Sequence, residues 1–128
     1  MSLKETLRVM VVDDMSTSRG LITQALEEIG IWHVQAESDA RAGLAKLAAS
    51  PVHLVLSDLN MPNMDGLQFL AALRQTKSTQ KIGFILVTGS PNRELIQKAQ
   101  TLGLNNMIKK PFTTDSMRTC IERVVGRL

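Results

Sequence analysis

Residues 8–14 read RVMVVDD, a continuous apolar run that ends in the acids Asp13 and Asp14. A run without polar alternation is typical of a parallel strand that is buried on both faces. A second such run, LVLS at residues 54–57, is followed by Asp58. Open α/β sheets bind their ligands at the carboxyl ends of the strands, where the winding reverses. We therefore expect the three carboxylates to meet at one edge of a sheet.

Apolar strands and amphipathic helices alternate along the whole chain. Helices are indicated by apolar residues at helical spacing and by capping residues, with Ser16 or Thr17 predicted to cap the first and Thr113 or Thr114 the last. Right-handed crossovers then give an α/β fold, a doubly wound five-stranded parallel sheet flanked by five helices. The flavodoxin-like strand order 2-1-3-4-5 would place strands 1 and 3 at the switch point. The predicted strands are Arg8–Val12, Trp32–Ala36, Val52–Ser57, Ile82–Thr88 and Met107–Lys109.

Composition indicates one soluble domain over residues 1–128. The chain of 128 residues is 44% hydrophobic, which is enough to bury an aliphatic core. A lone cysteine, Cys120, excludes an internal disulfide and fits a reducing, cytoplasmic location. No stretch has signal-peptide or membrane-span character, so we expect no membrane insertion. The net charge of +3 comes from scattered residues without a nucleic-acid reader, so nucleic acid is not the predicted partner.

The predicted cluster of Asp13, Asp14 and Asp58 calls for a cation. Three carboxylates at one point would raise each other's pKa and destabilise the fold at neutral pH unless a positive charge neutralises them. A hard divalent ion prefers such oxygen ligands, and a backbone carbonyl of the loop that Asp58 begins can supply another. Mg²⁺ also keeps several waters and takes phosphate oxygens. The sequence therefore predicts a Mg²⁺ site.

Lys110 and Thr88 are the remaining candidates for the site. Lys109 and Lys110 should point in opposite directions, so at most one enters the cluster. An ammonium beside acids suggests that an anion such as a phosphoryl group visits the site. Thr88 could donate its hydroxyl to a phosphoryl oxygen, with the small Gly89 leaving the site open. Asp58 could then act as a carboxylate nucleophile toward phosphorus.

Taken singly, each of these residues has an ordinary structural explanation. Adjacent acids often cap a helix, an aspartate after a strand is common turn chemistry, and a lysine is usually a solvated surface residue. His33 and His53 have no metal-ligand spacing, and we interpret them as structural. The chain also lacks the glycine-rich nucleotide motifs and the nucleophile-elbow motif of hydrolases. The prediction depends on the joint arrangement.

Four motifs in this order, VVDD, LSDLNMPNMDG, VTG and KKPF, extend over nearly the whole chain. Together they resemble the receiver domains of two-component response regulators, and in particular the single-domain chemotaxis (CheY) type. The resemblance implies that a phosphohistidine on a CheA-type sensor histidine kinase is the phosphoryl donor. It also implies a cis peptide bond at Lys110–Pro111. The implied roles are Asp58 as phosphoacceptor, Asp13 and Asp14 with the main chain of Asn60 as the Mg²⁺ ligands, Thr88 as the switch hydroxyl, and Lys110 as the phosphate-contacting lysine.

The resemblance implies a monomeric, stand-alone switch that controls a flagellar motor or an equivalent partner. Its output face would be the fourth helix, the fifth strand and the last helix, with Met107, Lys109, Gln97 and Arg118. A motor switch protein or a phosphatase are the expected partners besides the kinase. The alternative is a phosphate sink that drains the kinase without binding the motor. Met107 stands where the family usually has an aromatic residue, and a flexible methionine could fill or vacate the same cavity.

Two other classes of function fit the sequence less well. A phosphatase that forms an aspartyl-phosphate, as in the haloacid dehalogenases, needs a second acid where this chain has Met15. A DNA-binding regulator needs a reader such as a helix-turn-helix, and no residues remain for one. We therefore expect no enzyme, only self-phosphorylation and self-dephosphorylation. Ser90, where the chemotaxis type often has an acid, would influence how water reaches the acyl phosphate.

Overall fold

The computed structural model of the chain, which describes residues 2–128, is built on a five-stranded sheet in the order β2-β1-β3-β4-β5. All four neighbouring pairs are parallel. The predicted fold class and strand order are therefore confirmed, and β1 and β3 lie side by side at the centre. The strands are β1 Arg8–Val12, β2 His33–Glu37, β3 Leu54–Asp58, β4 Gly83–Thr88 and β5 Asn106–Lys109.

Within residues 2–128, six helices surround this sheet, one more than the sequence predicts. The additional one is a single turn of four residues that buries no side chain, so it has no apolar stripe by which a sequence pattern could reveal it. Within the part of the chain that is described, no helix has the length and apolar character needed to cross a membrane. The helices are α1 Leu3–Thr6, α2 Ser16–Ile29, α3 Ala40–Ala49, α4 Gly66–Gln75, α5 Arg93–Thr101 and α6 Thr114–Val125.

The sheet separates two apolar cores. Side chains of β1 alternate between them, with Val9 and Val11 in one core and Met10 and Val12 in the other, and all four are fully buried. Residues of α2 and α6 close the first core, whereas residues of α3, α4 and α5 close the second. This double burial explains the unbroken apolar run of β1. It also leaves the carboxyl ends of the strands as the free edge of the fold.

Two large apolar residues in or beside the predicted elements are exposed. Trp32 is 66% exposed and precedes β2, which begins at His33 rather than at Trp32. Leu21 fits the helical spacing of α2 but is 57% exposed. The buried stripe of α2 consists of Ile22, Ala25, Leu26 and Ile29, so Leu21 lies beside it and borders a surface groove.

Candidate functional site

Two neighbouring strands bring three carboxylates together. Asp13 and Asp14 directly follow β1, and Asp58 is the last residue of β3. In the register of these strands Val12 pairs with Ser57, so the acids come next at the same edge. One carboxylate oxygen from each acid lies within 4.8 Å of the others. Asp13 is fully buried and Asp58 nearly so, while Asp14 is exposed.

Lys110 enters this cluster and Lys109 does not. The Lys110 ammonium lies 3.1 Å from Asp58 Oδ1 and 3.5 Å from Asp13 Oδ2. Its backbone N–H donates to the Thr88 carbonyl at 2.9 Å, and the Lys110–Pro111 peptide bond is cis, as predicted. Lys109 is exposed. The cluster thus contains three carboxylates and one ammonium, which leaves it rich in negative charge.

Thr88 and Gly89 lie beside the cluster at the end of β4. Val87 pairs with Asp58, so Thr88 is one step further toward the free edge. Thr88 is almost fully buried, and its Oγ1 accepts a hydrogen bond from the Ser90 N–H at 3.2 Å. A side chain added at Gly89 would meet nothing within 4 Å, which leaves open space there. Asn60 is exposed in the loop that follows Asp58.

Asp13 is held by donors that the sequence did not reveal. The Met15 N–H donates to Asp13 Oδ1 at 3.0 Å, and the Ser18 hydroxyl donates to Oδ2 at 2.5 Å. Arg19 Nη1 donates to the Asp13 backbone carbonyl at 2.8 Å. In the sequence, Ser18 is only a hydroxyl residue five positions after Asp13. Its contact with Asp13 cannot be predicted without knowing the geometry of the turn that leads into α2.

The prediction that Ser16 or Thr17 caps α2 is wrong. The helix begins at Ser16, and the residue before it, Met15, is the N-cap without a side-chain bond. Because Asp13 accepts the Met15 N–H, the strand runs into the helix through a tight acidic turn that leaves no capping role for Ser16 or Thr17. The cap predicted at Thr113 is confirmed for α6, where its hydroxyl accepts from the Ser116 N–H.

Gly66 allows the first turn of α4 to approach Asp58. A β-carbon at this position would overlap the Asp58 backbone carbonyl oxygen and would lie 2.8 Å from Leu86 Cδ1. The Gly66 N–H also donates to the Leu59 carbonyl at 2.8 Å. Gly66 therefore permits close packing against the strand end that carries Asp58.

Burial raises the pKa of the Asp58 carboxyl above its usual value. The Lys110 ammonium opposes this effect through its hydrogen bond and its charge, and the nearby Asp13 reinforces it. A cation bound among these carboxylates would relieve the cost of their charge. The donors are all oxygen atoms, which fits a hard divalent ion with waters in its remaining positions.

The likeness to known proteins is consistent along the whole chain. A family model described as "Response regulator receiver domain" matches residues 9–122. A protein of Rhizobium etli described as "Probable chemotaxis protein CheY" is 43% identical over 128 residues, covering 100% of this chain and 99% of the relative. "Chemotaxis protein CheY-3" of Vibrio cholerae is 29% identical over 126 residues, covering 98% and 97%. Among solved structures, chemotaxis protein CheY4 of Vibrio cholerae superposes with a TM-score of 0.86 at 27% identity, over 92% of this chain and 98% of that one.

Proposed function

The chain belongs to the response regulator receiver domain family, and from that premise we propose that it is a stand-alone response regulator that is phosphorylated on Asp58. One observation carries the proposal: the nearly buried Asp58 carboxylate is held between a pair of acids and a lysine ammonium. The Rhizobium relative matches over 99% of its own length, which supports a single receiver domain over residues 1–128.

The chemistry is a transfer of one phosphoryl group. An Asp58 oxygen attacks the phosphorus of a phosphohistidine, a P–O bond forms and the P–N bond breaks. The electron pair of that bond returns to the imidazole nitrogen, which takes up a proton. Lys110, which already contacts Asp58, then faces the phosphoryl oxygens, and the Thr88 hydroxyl donates to them. No external substrate is turned over, so the protein is a signalling module rather than an enzyme.

Mg²⁺ is the cation that fits the site. Asp13, Asp14 and Asp58 supply carboxylate oxygens, and the main chain of Asn60 completes the protein ligands. When bound, the ion neutralises charge on the transferred group. Few protein ligands leave several positions to water, so we expect weak binding. Asp13→Ala or Asp14→Ala should lower the affinity for the metal further, and excess chelator should stop phosphorylation.

The first experiment assigns the phosphoacceptor. Phosphotransfer is followed from a labelled, phosphorylated CheA-type kinase, with Mg²⁺, to the wild type, to Asp58→Asn and to Asp115→Asn. Asp115 is a matched control because it is an exposed aspartate in the first turn of α6 that does not belong to the cluster. Asp58→Asn should take up no label while the control behaves as wild type. Strong label on another carboxylate of Asp58→Asn would refute the assignment.

The output surface is proposed to be the face formed by α5, β5 and α6. Thr88 ends the strand beside β5, where it pairs with Lys109, and the neighbouring Leu86 pairs with Met107. A movement of the Thr88 hydroxyl toward a phosphoryl group would free space beside Met107, whose flexible side chain can follow it. Exposed Lys109 would then meet an acidic or mixed partner helix, together with Gln97 and Arg118.

The chemotaxis descriptions of the relatives support a flagellar switch protein as the partner. The test compares binding of the phosphorylated and unphosphorylated protein to that switch protein. Tighter binding of the phosphorylated form, reduced in Met107→Ala without loss of phosphorylation, is the expected result. Equal and negligible binding of both forms would instead establish the alternative, a phosphate sink that drains the kinase. Both outcomes leave the assignment of Asp58 intact.

A further inference from the structure

Ser18 makes a contact that the proposed chemistry does not yet use. It lies in the first turn of α2, and its hydroxyl donates to Asp13 Oδ2 at 2.5 Å. The same oxygen faces the Lys110 ammonium at the longer distance of 3.5 Å. The other oxygen, Oδ1, accepts from the Met15 N–H. Both oxygens of this fully buried carboxylate therefore have a neutral donor of their own.

We propose that Ser18 is a positioning residue that holds the Asp13 carboxylate in its metal-binding orientation and keeps the Lys110 ammonium on Asp58. The inference rests on the proposed function, in which Asp13 is a ligand of Mg²⁺. Ser18 itself touches neither the ion nor the phosphoryl group. It acts through Asp13, as the outer partners of metal-binding carboxylates commonly do.

The physical reason is competition for one lysine. Lys110 lies 3.1 Å from Asp58 Oδ1 and 3.5 Å from Asp13 Oδ2, so a small movement would exchange its partners. Without the Ser18 hydroxyl, Asp13 Oδ2 would lose its hydrogen-bond donor in a buried position, which is costly. A charge-assisted bond to the nearest ammonium would replace it. Lys110 would then neutralise a metal ligand and leave the phosphoacceptor.

The test uses a pair of variants that differ in one hydroxyl. Ser18→Thr keeps the donor, whereas Ser18→Val has nearly the same shape and the same branching but no donor. Ser16→Ala is the position control. Ser16 is the first residue of α2, two residues before Ser18, and its side chain makes no hydrogen bond within residues 2–128. For each protein, the Mg²⁺ dissociation constant is measured by calorimetry, and Tm is measured with and without Mg²⁺.

Ser18→Thr and Ser16→Ala should bind Mg²⁺ within about twofold of wild type, and Ser18→Val about tenfold more weakly, as is typical for loss of an outer partner. The rise in Tm on adding Mg²⁺ should shrink in Ser18→Val alone, because ligand stabilisation follows the dissociation constant. Equal Mg²⁺ dissociation constants for Ser18→Thr and Ser18→Val would overturn the inference. This holds even if Ser18→Val has a lower Tm without metal, because a loss of stability alone does not show a role in metal binding.

Asp14→Asn separates this inference from the proposed function. Asp14 is exposed and makes no hydrogen bond with Ser18 within residues 2–128, so its loss tests the metal site directly. If wild type binds Mg²⁺ and Asp14→Asn binds it poorly, while the Thr and Val variants are equal, only the role of Ser18 is refuted. If wild type shows no Mg²⁺ binding at all, the metal site is refuted and the role of Ser18 with it.

Discussion

At the scale of single residues, Asp58 combines burial with negative charge. Its carboxylate is nearly buried and lies beside Asp13, and the Lys110 ammonium and a backbone hydrogen bond from Leu59 offset these effects only in part. The result is a pKa raised above the ordinary value of 3.8. An acid whose pKa is raised by folding stabilises the native state fully below pH 3.8 and loses that contribution as the pH rises through the folded pKa. At neutral pH, the Asp58 carboxylate therefore costs stability.

The first prediction is that Asp58→Asn raises Tm at pH 7 in metal-free buffer. We expect a rise of a few degrees, because 1 kcal/mol shifts Tm by roughly 3–6 °C in a domain of this size. The gap should close below about pH 4, where the wild-type carboxyl is protonated in both states. Thermal unfolding across this pH range measures it, with Asp115→Asn as the control that should show no rise. A Tm for Asp58→Asn below wild type at pH 7 would contradict the electrostatic account.

A second residue-scale prediction concerns Cys120. This thiol is buried, its S–H points to the Met107 carbonyl at 3.9 Å, and burial raises its pKa to about 11. Only about one thiol in a thousand is then ionised at pH 8, and the thiolate is the reactive form. Iodoacetamide should modify native Cys120 at least about a hundredfold more slowly than the urea-unfolded chain. Mass spectrometry follows the reaction, and equal rates would show that this thiol is not shielded.

Residues of the site differ in how far the sequence predicts them. Asp13 and Asp58 could be placed because an acid after a buried strand lies at the free edge whatever the details of packing. Ser18 could not, because its contact depends on the side-chain rotamer and on the turn between β1 and α2. The need for glycine at position 66 could not be predicted either, because the close approach of α4 to the Asp58 carbonyl depends on tertiary packing.

At the scale of elements, Arg74 joins three segments at the end of the sheet opposite the site. Its guanidinium, in the last turn of α4, donates to the carbonyls of Gln80, Ile82 and Gly103 and to Asn105 Oδ1. The acceptors lie in the segments that directly precede β4 and β5. A planar fork of donors suits this arrangement, and a lysine has neither the shape nor the number of donors to replace it.

Arg74→Lys should therefore destabilise the protein by about 2 kcal/mol, since charged hydrogen bonds contribute roughly 1.5–3 kcal/mol each and some would survive. Urea unfolding measures the loss. Arg93→Lys is the matched control, because Arg93 is exposed at the start of α5 and should tolerate the change. Equal stability of the two variants would show that the bonds of Arg74 contribute nothing beyond solvation.

Element boundaries were harder to predict than element types. The three central strands, β1, β3 and β4, could be identified because burial on both faces leaves long apolar runs. The start of β2 was misplaced at Trp32, since an exposed tryptophan and a buried one look alike in a sequence. The residues of the edge strand β2 are exposed or only partly buried, so the apolar periodicity of the sequence does not show where this strand begins. The strand order was predicted from the known winding of flavodoxin-like folds, so the prediction did not depend on the exact ends of the strands.

At the scale of the whole molecule, the site opens next to an apolar groove. The groove, of about 700 Å³, runs between α2 and the segment from Lys110 to Thr114. Met15 and Leu21 line it and are 61% and 57% exposed, although Leu21 could have been buried by its helical position. Under the proposed function, a protein that delivers a phosphoryl group to Asp58 must contact the surface around Lys110. The groove offers the apolar area that such a contact needs.

Leu21→Gln should accordingly slow phosphotransfer from the kinase about tenfold, the effect of losing roughly 1.4 kcal/mol of binding. The rate with acetyl phosphate, a donor too small to touch the groove, should stay within about twofold, because the site itself is unchanged. Trp32→Gln is the control: Trp32 is equally exposed but precedes β2 at the far end of the sheet. Single-turnover labelling measures both donors. If Leu21→Gln slows both donors equally, the groove acts on the site itself, and if it slows neither, the kinase docks elsewhere.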